Sequence, residues 1–217
     1  MQGARLRPCC AVGDRKWGAG AWGDWVSEAA DRPSRFGEEL RVLARRHPRA
    51  TWTRHPDLGE LARFWLARHE MFRRLDATIR SGTEAVLAER TEAVEIRPWL
   101  ARHLRGFLWQ LEEHHQVEDH HYFPLFRRAE PRLAAGFELL EGDHRALHAG
   151  LDGLVGRANL VLAHERPQRG GFRADFARFH DAQVDLGRQL GRHLDDEEDL
   201  VVPLLLECGE QRFAGGG

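Results

Sequence analysis

His114 to Pro124 reads HHQVEDHHYFP, four histidines and two acids within eleven residues, closed by an apolar patch and a proline. Around this stretch Leu100, His103, Phe107, Leu111, His114, Glu118, His121 and Leu125 recur three or four apart. That spacing lines one face of an α-helix. Imidazole and carboxylate therefore stand on a face where leucine is expected. Burying a carboxylate costs on the order of several kcal/mol unless it is paired or bound to metal. The same face offers no lysine or arginine to Glu118.

The pattern repeats outward in both directions. A first helix is expected from an N-cap at Asp57 to a stop at Ser81-Gly82, with Leu58, Leu61, Trp65, His69, Phe72 and Ile79 inward. Residues 83–96 read as a linker, and Pro98 suits the first turn of the second helix. Pro124 predicts a kink near its end. After a short turn at 128–131, a third helix carries Leu133, Phe137, Leu140, His144, Leu147, His148, Leu151 and Leu154 inward and ends at RPQRGG. The fourth runs from about 172 to 207 with Phe176, Phe179, Leu186, Leu190, His193, Glu197, Val201 and Leu204 inward, and Gly209 closes it. No alternating strand pattern occurs. The fold class is all-α, an antiparallel up-down-up-down four-helix bundle.

Helical rise tests whether these groups meet. His114 and His144 each lie roughly 13 residues, about 20 Å, from the turn that joins their helices. His144 and His193 each lie some 22 residues, about 33 Å, from theirs. All fall at one level. Helices two and four each bring His-x-x-x-Glu, as His114/Glu118 and His193/Glu197, whose members share a face. Helices one and three bring His69 and His144, with His148 one turn on. Imidazole mixed with carboxylate suits a first-row transition metal. Two metals fit, each on two histidines with the carboxylates between them. His115 and His120 point off this face, and His121 reads as a supporting donor on it. His47, His55, His103, His164 and His180 lie away from the level.

The rest of the chain bounds the answer. Of 217 residues, 32 are Lys or Arg and 34 Asp or Glu, a formal charge of −2, which gives no basic field for nucleic acid or anionic membrane. The three cysteines, two of them the neighbours Cys9 and Cys10, make no disulfide framework, and a reducing cytoplasm is the expected home. No signal-peptide stretch opens the sequence, and the apolar run Leu200–Leu206 is too short to span a bilayer. Residues 1–52 read as an irregular, partly disordered extension with a short helix at 36–47, 53–208 as the bundle, and 209–217 as a flexible tail.

Four ordered motifs, RHEMFRRL (68–75), HHQVEDHHYFP (114–124), EGDHRALH (141–148) and RHLDDEEDLVVPLL (192–205), resemble the hemerythrin-like (HHE) domains. The resemblance covers about residues 57–207 and implies a non-haem di-iron centre. One iron would take His69 and His114, the other His144 and His193, with Glu118, Glu197 and an oxo or hydroxo group bridging. His148 matches a further histidine ligand of the oxygen carriers. Those carriers place an Asp five residues after the last His; here Glu198 stands there and Glu197 is the better match, as in the broader bacterial group.

The leading expectation is a non-enzymatic di-iron protein that binds or senses O2, or NO or iron. The alternative is a redox enzyme that reduces NO or peroxide or repairs iron–sulfur clusters, with Tyr122 the one nearby tyrosine. The repair relatives carry an N-terminal module with adjacent cysteines. Cys9-Cys10 has only eight residues before it and no Gly-Gly after it, so that module is not present whole. A third reading is an interaction module whose folding is set by metal loading.

Overall fold

The computed structural model describes residues 35–89, 93–164 and 171–213, the first three residues of the middle stretch by backbone alone. Cys9-Cys10, the Gly-, Arg- and Trp-rich opening, the RPQRGG turn up to Gly170 and the last four residues lie outside them. Every regular element among the described residues is helical. A short α1 (Val42–Arg46) and a 3-10 turn (Arg49–Arg54) precede four long segments. These are α2 (Glu60–Leu87), α3 (Ala93–Val117) continued through a π-turn (Glu118–Tyr122) into α4 (Phe123–Ala129), α5 (Ala134–Ala163) and α6 (Phe172–Cys208). Around the bundle α2 packs on α3, α3 on α5, α5 on α6 and α6 on α2.

Two apolar cores fill this ring, one at each end. The first holds Trp52, Leu58, Trp65, Phe123, Phe126, Phe137, Leu140 and Val201. The second holds Phe72, Ile79, Leu100, Phe107, Leu111, Leu147, Leu151, Phe179 and Leu190. Each long segment passes from one core to the other, and each carries its inward histidine near the crossing. His69 follows Leu66 and precedes Phe72; His114 lies between Leu111 and Phe123; His144 between Leu140 and Leu147; His193 between Leu190 and Leu200. Hydrophobic burial at both ends thus holds a polar layer in the middle.

Three boundaries differ from the sequence reading. Helix α2 starts at Glu60, not after Asp57, because its cap comes from far away: Glu210 Oε2 and Oε1 accept from the backbone N–H groups of Leu61 and Ala62 at 2.9 and 2.8 Å. It also runs through Ser81-Gly82 to Leu87. Gly82 is a close-approach glycine, since a Cβ there would sit 2.5 Å from the Trp99 ring. Helix α3 accordingly begins earlier than expected and holds Pro98 in its interior.

The described part of the N-terminal segment joins the first core. Phe36, Leu40, Leu43 and Trp52 are all buried there, so hydrophobic packing extends that core upstream of the bundle. Residues 209–213, in the stretch expected to be a tail, turn back over it. Gly209 takes a positive φ of 76°, Glu210–Arg212 form a 3-10 turn, and Phe213 is buried.

Candidate metal centre

The π-turn sets the geometry of the second histidine segment. It inserts an extra residue into one helical turn and so rotates everything downstream. Beyond Glu118 the buried positions are Phe123 and Phe126, while His121 and Leu125 are only half-buried. The expected inner stripe through His121 and Leu125 is corrected accordingly. Pro124, which lacks an N–H, falls at the start of the helix that resumes after the π-turn.

Six of the seven sequence-selected residues come together. Two groups of donor atoms form, each with its atoms within 4.8 Å of one another: His69, His114, Glu118 and Glu197, and His115, Glu118, His144 and His193. Glu118 belongs to both. Its Oε1 lies 2.9 Å from His114 Nε2 and its Oε2 lies 3.5 Å from His144 Nε2. Glu197 spans the groups in the same way, with Oε1 3.5 Å from His69 Nε2 and Oε2 3.3 Å from His193 Nε2. The Nε2 atoms of His144 and His193 lie 3.2 Å apart.

His148 stands outside both groups and is partly exposed. Its Nδ1 faces Glu112 at 2.8 Å and its Nε2 faces His115 Nδ1 at 3.3 Å. His115, which the sequence reading turned away, instead lies in the second group. His115 is buried and stacks on His144 with ring centroids 4.0 Å apart. One signal could have found it. At 100° per residue, His114 and His115 flank Glu118 on opposite sides by about 40° and 60°. A carboxylate shared by two groups takes a histidine from each side. His121 packs beside Tyr122 and belongs to neither group. His103 meets the Trp99 carbonyl, His180 meets Thr83, His47 meets Glu207 and His164 meets Asp175.

The buried atoms left without a hydrogen bond test whether these residues fit a cation. They include Nε2 of His69, His114 and His115, both oxygens of Glu118 and Oε2 of Glu197. Buried polar atoms are otherwise almost always satisfied. These atoms gather in the two groups, an arrangement that a cation would organise. A first-row ion with donors about 2.1 Å away spans roughly 4 Å between opposite ligands, close to the size of each group. The donor set fits a pair of such ions.

Protonation follows the same logic. Burial pushes His114 and His115 well below the ordinary imidazole range, so both are neutral donors. Burial, with the charge of nearby Glu197, raises Glu118 well above the ordinary carboxylate range. Burial would raise Glu197 as well, but His69 and His193 outweigh it and hold Glu197 ionised. His193, despite burial, is pushed up to about 8 by Asp143 and Glu197.

Acids outside the groups orient the rings. His69 Nδ1 lies 3.0 Å from Glu198, His144 Nδ1 lies 2.7 Å from Asp119, and His193 Nδ1 lies 3.4 Å from Asp143. An acceptor at Nδ1 keeps the proton there and leaves Nε2 free to ligate. Trp65 Nε1 donates to Glu197 Oε1 at 2.5 Å and fixes that carboxylate.

A family model, the hemerythrin HHE cation-binding domain, matches residues 60–205. No curated protein and no solved structure matches the chain significantly. The matched span begins at the start of α2 and contains every residue of both donor groups.

Proposed function

The chain belongs to the hemerythrin HHE cation-binding family, and from that premise we propose that it is a non-haem di-iron protein that binds or senses O2 or NO. The observation that carries this reading is the pair of donor groups joined by Glu118 and Glu197, in which Nε2 of His69, His114 and His115, both Glu118 oxygens and Oε2 of Glu197 are buried without a hydrogen bond. Each group offers imidazole and carboxylate together, the mixture that suits iron. We take the bundle as up-down-up-down, since α2 and α5 run from the first core toward the second and α3 and α6 run back. His69 and His114 would hold one ion and His115, His144 and His193 the other.

Iron would supply a redox-variable centre able to bind a diatomic ligand. The chain supplies dryness and order. Phe72, Phe107, Leu111, Leu147 and Leu190 are all buried in the core beside the site and exclude water from it. Asp119, Asp143 and Glu198 set the imidazole tautomers. We place the protein in a reducing compartment, with neither nucleic acid nor membrane as partner; among the described residues no helix is long and apolar enough to cross a membrane.

A second reading, a redox enzyme acting on NO or peroxide, has one observation in its favour. Trp65, which donates to Glu197, meets the Tyr122 ring edge-on at 5.0 Å, and Tyr122 is only half-buried. Two oxidisable rings in contact offer electrons a path between the site and the surface.

Anaerobic loading of the full chain with ferrous iron tests both. About two irons per chain, with near-ultraviolet absorption that appears in air and reverses on deoxygenation, is the result expected of a ligand binder. Two irons that oxidise irreversibly favour the enzyme. No iron, or a single zinc, overturns the di-iron reading.

A further inference from the structure

The residues that orient His69 and His193 are themselves held by arginines, and those arginines come from the segment before the family-matched span. Arg49, on the 3-10 turn, pairs with Glu198, whose other oxygen faces His69 Nδ1 at 3.0 Å. Arg35 pairs with Asp143, which lies 3.4 Å from His193 Nδ1. His69 belongs to one donor group and His193 to the other. One arginine of this segment thus reaches each group through one acid and one ring.

We propose that residues 35–54 are a positioning element of the metal centre, Arg49 for the His69 group and Arg35 for the His193 group. This rests on the di-metal reading given above.

The Arg49 anchor is built in detail. Its side chain is 8 % exposed, and it lies over the Trp52 ring with the guanidinium carbon 4.8 Å from the centroid. Besides Glu198 it donates to Asp199 Oδ1 at 2.8 Å and to the Asp195 carbonyl at 2.9 Å. Trp52 in turn donates from Nε1 to the His47 carbonyl at 2.7 Å and is buried in the first core. The planar guanidinium is therefore fixed on one face by an indole and at its edge by three acceptors from α6. Glu198 is fully enclosed and also takes Arg73 of α2 at 2.7 Å. With two arginines on it, its position is set from both sides and the imidazole that it faces inherits that position.

Arg35 repeats the device more openly. It donates through both terminal nitrogens to Asp143 and lies 2.6 Å through Nε from the buried Asp196. It thereby ties α5 to α6 at the level of His193. Arg46 offers an internal control. It belongs to the same segment and pairs with α6 through Glu207 at 2.5 Å, but Glu207 faces no member of either donor group.

The test uses the full chain and cobalt(II) alone as probe, followed by visible absorption and by chelator competition. Removing a group that orients a metal-binding histidine typically costs about 10–100-fold in metal affinity. Arg49→Ala, which acts through Glu198 while Arg73 stays in place, is expected to weaken one of two bound ions by up to about tenfold, the lower end of that range, and leave the other. Arg35→Ala is expected to weaken the other ion, and Arg46→Ala neither. In a His69→Ala background, Arg49→Ala is expected to add nothing further. Where Arg49→Ala does not fold, Arg49→Lys serves, with the same ion weakened by a smaller factor.

Equal weakening of both ions by either variant, or an Arg46→Ala effect as large as that of Arg49→Ala, overturns the proposal in favour of general loosening. Two tightly held ions in every variant overturn it and leave the di-metal reading standing. A wild-type chain that takes up no cobalt removes both.

Discussion

Replacing Glu118 with leucine should make the metal-free protein more stable and abolish its response to metal. Both Glu118 oxygens are buried without a hydrogen bond, and Glu197 lies close enough to raise its pKa further. An unsatisfied buried acceptor costs about 1–3 kcal/mol, and leucine removes it at similar volume. For a chain of 150–250 residues each kcal/mol moves Tm by about 2–4 °C, so the metal-free variant should melt roughly 2–12 °C above metal-free wild type. Metal reverses the order. Wild type should gain stability as the ion concentration rises above its Kd, because binding stabilises only the folded state. The variant has lost the carboxylate common to both donor groups and should gain little. Thermal unfolding followed by circular dichroism, with chelator and with ferrous iron under argon, measures all four curves. A metal-free variant that melts below wild type would show Glu118 to be satisfied without metal. A variant that still rises with iron would show that it is not shared by the two sites.

His115→Ala should lose one of two bound ions while His148→Ala keeps both with weaker binding, by about tenfold or somewhat more; metal analysis after desalting distinguishes them, and the opposite order would return His148 to the ligand role. Gly82→Ala should destabilise by about 1–3 kcal/mol through overlap with Trp99, with metal stoichiometry unchanged, as read by urea unfolding and metal analysis. Acid should expose Glu198. Burial alone would raise its pKa, but His69, Arg73 and Arg49 outweigh that and hold it at about 2. A depressed carboxylate stabilises the fold above its unfolded pKa near 4.3 and loses that contribution as pH falls toward 2, a change on the order of 3 kcal/mol. Urea unfolding of metal-free protein between pH 5 and 2 should therefore be less steeply pH-dependent in Glu198→Gln; equal slopes would mean that Glu198 is not held ionised.

The helical class and the level of the site were legible because both follow from local rules. A period near 3.6 marks the buried face, and a rise of about 1.5 Å per residue puts His114, His144 and His193 at one height whatever the details of packing. What remained hidden depended on partners distant in sequence. The start of α2 rests on Glu210, which lies 148 positions from Ala62, and no pattern near Asp57 carries that. Gly82 read as a stop because its reason for being glycine, Trp99, lies on the next helix. The N-terminal segment read as irregular because its anchors are single residues, Arg35, Arg49 and Trp52, whose roles appear only once α5 and α6 stand beside them.

That His115 rather than His148 joins a donor group has a sharper physical cause. An inner stripe treats a helix as presenting one line to one core, and by that rule His114, Glu118 and His121 belong together. The bundle has two apolar cores with a polar layer between them, and the layer contains two donor groups side by side. A helix that serves both must present an arc. Glu118 occupies its middle, with His114 on one flank and His115 on the other, and the π-turn that begins at Glu118 then returns Phe123 and Phe126 to the apolar core. Without that extra residue His121 and Leu125 would continue the inward line and the two phenylalanines would be rotated off it. The π-turn is therefore what lets one helix carry a shared carboxylate with a histidine on each side and still close its hydrophobic face one turn later.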